Sequence, residues 1–292
     1  MKGNRTVPEI LEITEDIQNS CEELMHPDTS ENLARRNSRS LAAMNEEGSA
    51  EGILVWMLKD KADKKGSEAE LIDFKGLDKG VMEKLLNEYG DRTGEDGVDR
   101  SFFERAGMAS EDRDVFLAAE FDLEEKEGRD IILDVSELGS LKIKKKKVPD
   151  SIKNIGELQE LQFMQGITNC VLHEKTGLMD DLAVMPRDWY DPTVSSFVRT
   201  DGRINGFFLI HRTPSGILMP VLLTAIGPDS RMDLLNMLCY SINAAINTCP
   251  EGTKILIRRH EEEVYALASY LLPGRKGETV WAGNRTEEVS LF

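Results

Sequence analysis

Apolar positions fall into short periodic runs separated by polar and glycine-rich breaks, and the period changes along the chain. Ile10, Ile13, Ile17 and Leu24 recur at helical spacing over residues 9–25, before His26-Pro27-Asp28 breaks the run; this predicts a helix. Residues 31–45 follow an Asp/Thr/Ser start signal and read as a second helix. Gly52–Leu58 (GILVWML) is rich in β-formers and Ala69–Phe74 (AELIDF) alternates, so a hairpin is expected across the polar residues 59–67. Asp78–Tyr89 places Val81, Met82, Leu85 and Leu86 on one helical face. A loop over 91–99, a short helix over 101–108, a strand over 115–121 and an ambiguous strand or helix over 130–138 complete the first half.

The second half restarts with a helical run, Asn154–Cys170, and a weaker one, Met179–Met185. After the loop Pro186–Pro192 (PRDWYDP) come two strands, Ser195–Arg199 and Arg203–His211, joined at Thr200-Asp201-Gly202, an Asp-Gly hairpin signal. The strand Ile217–Ile226 leads through Gly227-Pro228-Asp229-Ser230 into a long helix reaching about Asn247. A strand, Lys254–Arg259, and a helix, Glu261–Leu272 before Pro273-Gly274, follow. Both halves thus read as helices, strand hairpin, helix, short helix closing on Gly, and strand. Phe103 and Tyr270 each stand four residues before a glycine. The expectation is an α/β chain, an α+β mixed sheet used twice, with domains at 1–147 and 148–292.

Net charge sharpens this picture. The chain of 292 residues carries -17, of which -13 falls in residues 1–150 (23 basic, 36 acidic) and -4 in residues 151–292 (13 basic, 17 acidic). Nucleic acid and anionic membrane need a basic face, so neither is an expected partner. The run Lys142–Lys147 (KIKKKK) reads as a solvated edge or connector. No apolar run is long enough for a membrane span and the first residues lack a secretory pattern, so a cytoplasmic location is expected. Of the four cysteines, none forms C-x-x-C, and Cys170 with His173 has no second ligand pair, so no metal site is expected.

The phrase Thr200-Asp201-Gly202-Arg203-Ile204-Asn205-Gly206-Phe207-Phe208-Leu209 resembles the second and third strands of the GCN5-related N-acetyltransferases (GNATs). Ala266-Leu267-Ala268-Ser269-Tyr270 with Gly274 is similar to that family's late A-x-x-x-Y-x-x-x-G phrase. The resemblance covers about 195–283 and, by layout, the first half. It implies an acyl-CoA N-acyltransferase-like fold in two tandem domains, the first degenerate. It also implies acetyl-coenzyme A (acetyl-CoA) as cofactor. In that family the pantetheine arm lies along the fourth strand and the pyrophosphate sits on the start of the next helix, where free N–H groups and the dipole favour anions.

By this resemblance Thr224, Ala225 and Ile226 would hold the pantetheine arm. Ser230, Arg231, Met232, Asp233, Leu234, Leu235 and Asn236 would form the phosphate turn. The family's [QR]-x-x-G-x-[GA] pattern is altered here: Arg231 matches its first position, but Leu234 and Asn236 stand where Gly and Gly/Ala would allow close backbone approach. Ser230-x-x-Asp233 reads instead as a capping box. In the first half, Lys75-Gly76-Leu77-Asp78-Lys79-Gly80 is a weak phosphate signal. Tyr270 matches the family's general acid, and His211 at a strand end is the candidate base. The implied activity is acetyl transfer to a small-molecule or peptide amine, with a cationic acceptor favoured by the acidic chain. The alternative is a catalytically inactive GNAT-fold binding or scaffold module.

Overall fold

The structure, a computed structural model, describes residues 8–60, 67–141, 147–172, 177–179, 185–259 and 262–286. Most of the lysine run, His173 and the core of the expected helix at Met179–Met185 lie outside the described residues. The chain divides into two units, the first built from residues 1–127 with 279–292, the second from 128–278.

Unit 1 begins with β1 (Glu9–Glu12), α1 (Glu15–Cys21) and α2 (Pro27–Leu33). Pro27 occupies the first turn of α2, where its missing N–H costs nothing, and His26 Nδ1 accepts from Asp28 N–H at 3.3 Å. There follow β2 (Ser38–Met44), β3 (Ala50–Asp60), β4 (Ser67–Gly76), α3 (Lys79–Glu95), β5 (Val98–Arg105), α4 (Ser110–Ala118) and β6 (Asp122–Glu127). The Asp78 side chain accepts from Val81 N–H at 3.0 Å and starts α3. The β3/β4 hairpin forms as expected, with Leu54 opposite Phe74.

Several local expectations fail. Residues 9–25 divide into β1 and α1. Residues 38–44 form a strand where a helix over 31–45 was expected, because this run sits inside the sheet and its last five residues are all buried. Residues 101–105 belong to β5 and residues 115–118 to α4, the reverse of the expectation. Strand β5 turns Val98, Ser101 and Phe103 into the core, a spacing too irregular to separate from a helical one over so short a run. The helix expected from Asn154 begins only at Glu160.

Unit 2 comprises β7 (Ile131–Asp134), a 3-10 turn at Val135–Ser140, β8 (Ile152–Asn154), α5 (Glu160–Leu172), β9 (Gly177–Met179), β10 (Ser196–Thr200), β11 (Arg203–Arg212) and β12 (Leu218–Ala225). It continues with α6 (Ser230–Thr248), β13 (Lys254–Ile257) and α7 (Glu262–Leu271). The β10/β11 turn has φ of 51° at Asp201 and 78° at Gly202, the left-handed pair that an Asp-Gly hairpin supplies. Its sheet runs β7-β13-β12-β11-β10-β8, with β9 added on β12. One apolar layer lies between this sheet and α6/α7, the other between it and α5.

The last strand, β14 (Thr279–Thr286), belongs to unit 1, whose sheet runs β1-β2-β3-β4-β5-β14-β6. Six residues of β14 pair antiparallel with β5 and six with β6. In turn β7, from the first half of the chain, pairs with β13. The division therefore falls at 127/128 and 278/279 rather than at 147/148. Each sheet contains a strand that sequence order would assign to the other half.

Beneath β14 lies an aromatic cluster of Phe74, Phe103, Phe116 and Phe121, with ring centroids 4.6–5.7 Å apart. A Cβ on Gly283 would lie far inside van der Waals contact of Cε1 at the edge of the Phe103 ring. Gly283→Ala is therefore expected to lower stability by about 1–3 kcal/mol through overpacking, measured by urea unfolding. A nearby exposed control, Glu278→Ala, should stay within about 0.5 kcal/mol of the parent.

Candidate functional site

In each unit one parallel strand pair separates, and a helix follows the first strand of the pair. In unit 1 the β4/β5 ladder runs from Ser67↔Val98 to Glu70↔Phe102 and stops, although β4 continues to Gly76 and β5 to Arg105. In unit 2 the β12/β13 ladder is a single pair, Leu218↔Ile255. Beyond these points each leading strand has a backbone edge with no partner from the following strand.

The two edges differ in what meets them. On β12, the short β9 pairs antiparallel at Leu222↔Met179, Leu223↔Leu178 and Thr224↔Gly177. The backbone place beside Thr224 is thus taken by the chain itself. On β4, no strand among the described residues pairs with Leu71–Gly76 on the β5 side. A cavity of about 320 Å³ lies there, lined by Leu71–Phe74 of β4, Glu104 and Arg105 of β5, and His26, Asp28, Thr29 and Asn32 at α2.

Hydrogen bonds fix this unit 1 cavity. Asp73 Oδ2 accepts from His26 N–H at 3.0 Å and from Thr29 Oγ1–H at 2.9 Å, tying α2 to β4. Arg105 reaches across the separation, donating to Phe74 O at 2.5 Å, with its guanidinium 4.3 Å from the Phe74 ring centroid. Glu104 is held by Lys126 at 3.4 Å. Among the described residues the wall carries three carboxylates, Asp28, Asp73 and Glu104, one of them paired with Lys126, beside His26 and one committed arginine. Such a lining favours a cationic group over an anionic one. Sequence reasoning passed over this cavity. No local pattern marks it, because the partners of Asp73 come from α2, far earlier in the chain.

The residues singled out in unit 2 lie as follows. Thr224 and Ala225 are buried at the end of β12, and Ile226 N–H donates to Asn205 O at 2.7 Å. Residues 230–236 form the first two turns of α6. The capping box expected from Ser230 and Asp233 does not form: Asp229 is the cap residue, and no side chain caps the helix. Ser230 is already helical, one residue too late to cap. Leu234 is half-buried against the core, Met232 and Leu235 are exposed, and Asn236 is buried with no partner for its Oδ1. Burial, and then the neighbouring Asp229, push the Asp233 carboxyl above its ordinary range.

Tyr270 is 78% exposed on α7. His211 is buried, its ring stacked on Trp189 with centroids 3.6 Å apart and planes 2° from parallel. Its Nδ1–H donates to Trp189 O at 2.7 Å. This arrangement holds the ring as part of the wall between β11 and the 186–190 loop, away from solvent. Tyr190 is buried beside it, and Trp281 lies on β14 with the Arg113 guanidinium 4.7 Å from its ring.

No family model and no curated protein sequence matches the chain. Solved structures do. A tandem GNAT protein from the clavulanic acid biosynthesis pathway matches over 96% of this chain and 98% of its own, with a TM-score of 0.60 and 10% identity. The GCN5-related glucosamine N-acetyltransferase region of a fungal β-N-acetylglucosaminidase matches 97% of this chain and 38% of that protein, at 0.51 and 13%. The C-terminal domain of a putative lysylphosphatidylglycerol synthetase from Agrobacterium fabrum matches 92% and 91%, at 0.50 and 14%. The chain has the fold of the GCN5-related N-acetyltransferases.

Cys170 is fully buried, and burial pushes its thiol up to about 12. At pH 8 about one molecule in ten thousand carries the thiolate there. Iodoacetamide at pH 8 is expected to leave Cys170 unmodified in the native chain and to modify it in urea, read by peptide mass spectrometry. Rapid native labelling would show that the helix carrying it opens.

Proposed function

We propose that this protein is an N-acyltransferase that moves an acetyl group from acetyl-CoA to a cationic amine, with the donor seated in unit 1. The observation that carries this reading is the separation of β4 from β5 beyond Glu70↔Phe102, with a polar cavity beside the unpaired edge. An extended pantetheine arm can bond the backbone of Leu71–Phe74 as an added strand does. Arg105 would swing from Phe74 O to admit it. Lys79, at the start of α3 and just past the end of the same strand, would face the pyrophosphate, and the Asp78 side chain, which accepts from Val81 N–H, would have to turn away to free that helix end.

The acceptor amine would enter among Asp28, Asp73 and Glu104. Its nitrogen, once deprotonated, attacks the thioester carbonyl. The C–N bond forms as the C–S bond breaks, coenzyme A leaves as the thiolate, and the amine's proton passes to a carboxylate or water. Related folds act on amines: one of the matched regions is a glucosamine N-acetyltransferase, which supports the class and not the substrate.

Unit 2 supports a second reading for itself. With β9 on the edge of β12, the same chemistry there would require that strand to leave, with Tyr270 as acid and residues 224–236 as the coenzyme cradle. The filled edge favours a binding or scaffold role for this unit.

The two seats are separated by charge reversal. Acetyl-CoA at about 100 times its Kd should stabilise the chain by about 2.7 kcal/mol. Lys79→Glu is expected to weaken coenzyme binding about tenfold or more, and Arg231→Glu to leave it unchanged, by calorimetry. Loss with Arg231→Glu alone would move the donor to unit 2. No binding to the parent chain at millimolar coenzyme would sink the enzyme reading.

A further inference from the structure

We infer that unit 2 carries a separate ligand site, a dry cavity beneath α6 and α7 that takes the end of a short unbranched hydrocarbon chain, as presented by a fatty acid or an acyl thioester. The single β12/β13 pair at Leu218↔Ile255 lets the two strands diverge, and the layer between sheet and helices keeps an unfilled volume of about 80 Å³. Leu238, Ile242 and Ala245 of α6 and Leu267 and Ala268 of α7 form its roof, over leucines and isoleucines of the strands. Ala245 and Ala268 are both buried, so the space exists because the side chains facing it are short.

The lining selects the occupant. Among the described residues its single polar side chain, Ser241, lies 3.2 Å from the hydroxyl of Ser196 and is engaged there. A trapped water needs two to four polar partners, and this cavity offers none to spare. An apolar cavity of roughly 150 Å³ takes up benzene; this one has about half that volume, too small for an aromatic ring and enough for a few methylenes. A well-packed core leaves few voids of this size. The site is independent of donor binding in unit 1 and stands or falls separately.

The test uses the full chain with saturated fatty acids from acetate to decanoate, and with the matching acyl-CoAs, by calorimetry. Affinity is expected to rise about fourfold per added methylene, then to level off once the cavity is full. A response to both series means that the chain alone suffices; a response to thioesters alone assigns the source as acyl-CoA. Ala268→Leu, which fills the space, should abolish the chain-length dependence while keeping acetyl-CoA binding and without lowering the Tm. Ala245→Val is the second variant. On the parent chain, an acid of equal carbon number branched at its far end should lose the gain. Flat affinity along both series, unchanged dependence in a folded filled variant, or equal binding of the branched acid would overturn the proposal.

Discussion

The seating of β14 between β5 and β6 is the constraint on which unit 1 depends. Without it β5 has an unpaired edge, β6 has no sheet neighbour, and Phe103 loses the glycine surface of residue 283 that it packs against. That strand holds β5 on one side while β4 holds only the beginning of its other side. The early end of the parallel ladder at Glu70↔Phe102 is therefore tolerated by a strand fully supported elsewhere. The opening beside β4 is a consequence of how β5 is anchored as much as of β4 itself.

Unit 2 repeats the plan with different support. Its fifth-strand equivalent, β13, pairs with β7 over four residues and with β12 over one. The edge of β12 is satisfied by β9 instead of being left open. Buried backbone groups must find partners, and the two units meet that demand in opposite ways. One keeps its edge open beside a polar cavity that Arg105 spans; the other fills it with three residues of its own chain. The apolar cavity under α6 and α7 follows from the same divergence of β12 and β13, seen from the helix side of the sheet.

The fold was legible where the pattern is long or the turn chemistry specific. The Asp201-Gly202 hairpin, the β3/β4 pair, α3 and α6 all follow from periodicity and start signals. Residues 38–44 and 101–105 were not legible, because five to seven residues of mixed spacing do not separate strand from helix and only sheet neighbours decide. The strand exchange was invisible for a deeper reason: pairing partners about 150 residues apart leave no local trace. The same holds for the candidate site. His211 stood out as a lone histidine at a strand end, yet its role in the wall becomes evident only with the Trp189 stack in view. Asp73, unremarkable as a letter, gains meaning from Thr29 and His26 arriving beside it from α2.

Strand order also sets an order in time. Unit 1 begins to be synthesised first, yet its sheet is closed by residues 279–286, which emerge after all of unit 2. At ribosomal speeds of about 5–20 residues per second, the 128–278 segment takes roughly 8–30 s to appear. During that interval β5 and β6 present unsatisfied edges to whatever surrounds the nascent chain, and the acidic character of β6 (DLEEKE) keeps that waiting edge charged and poorly suited to the wrong partner.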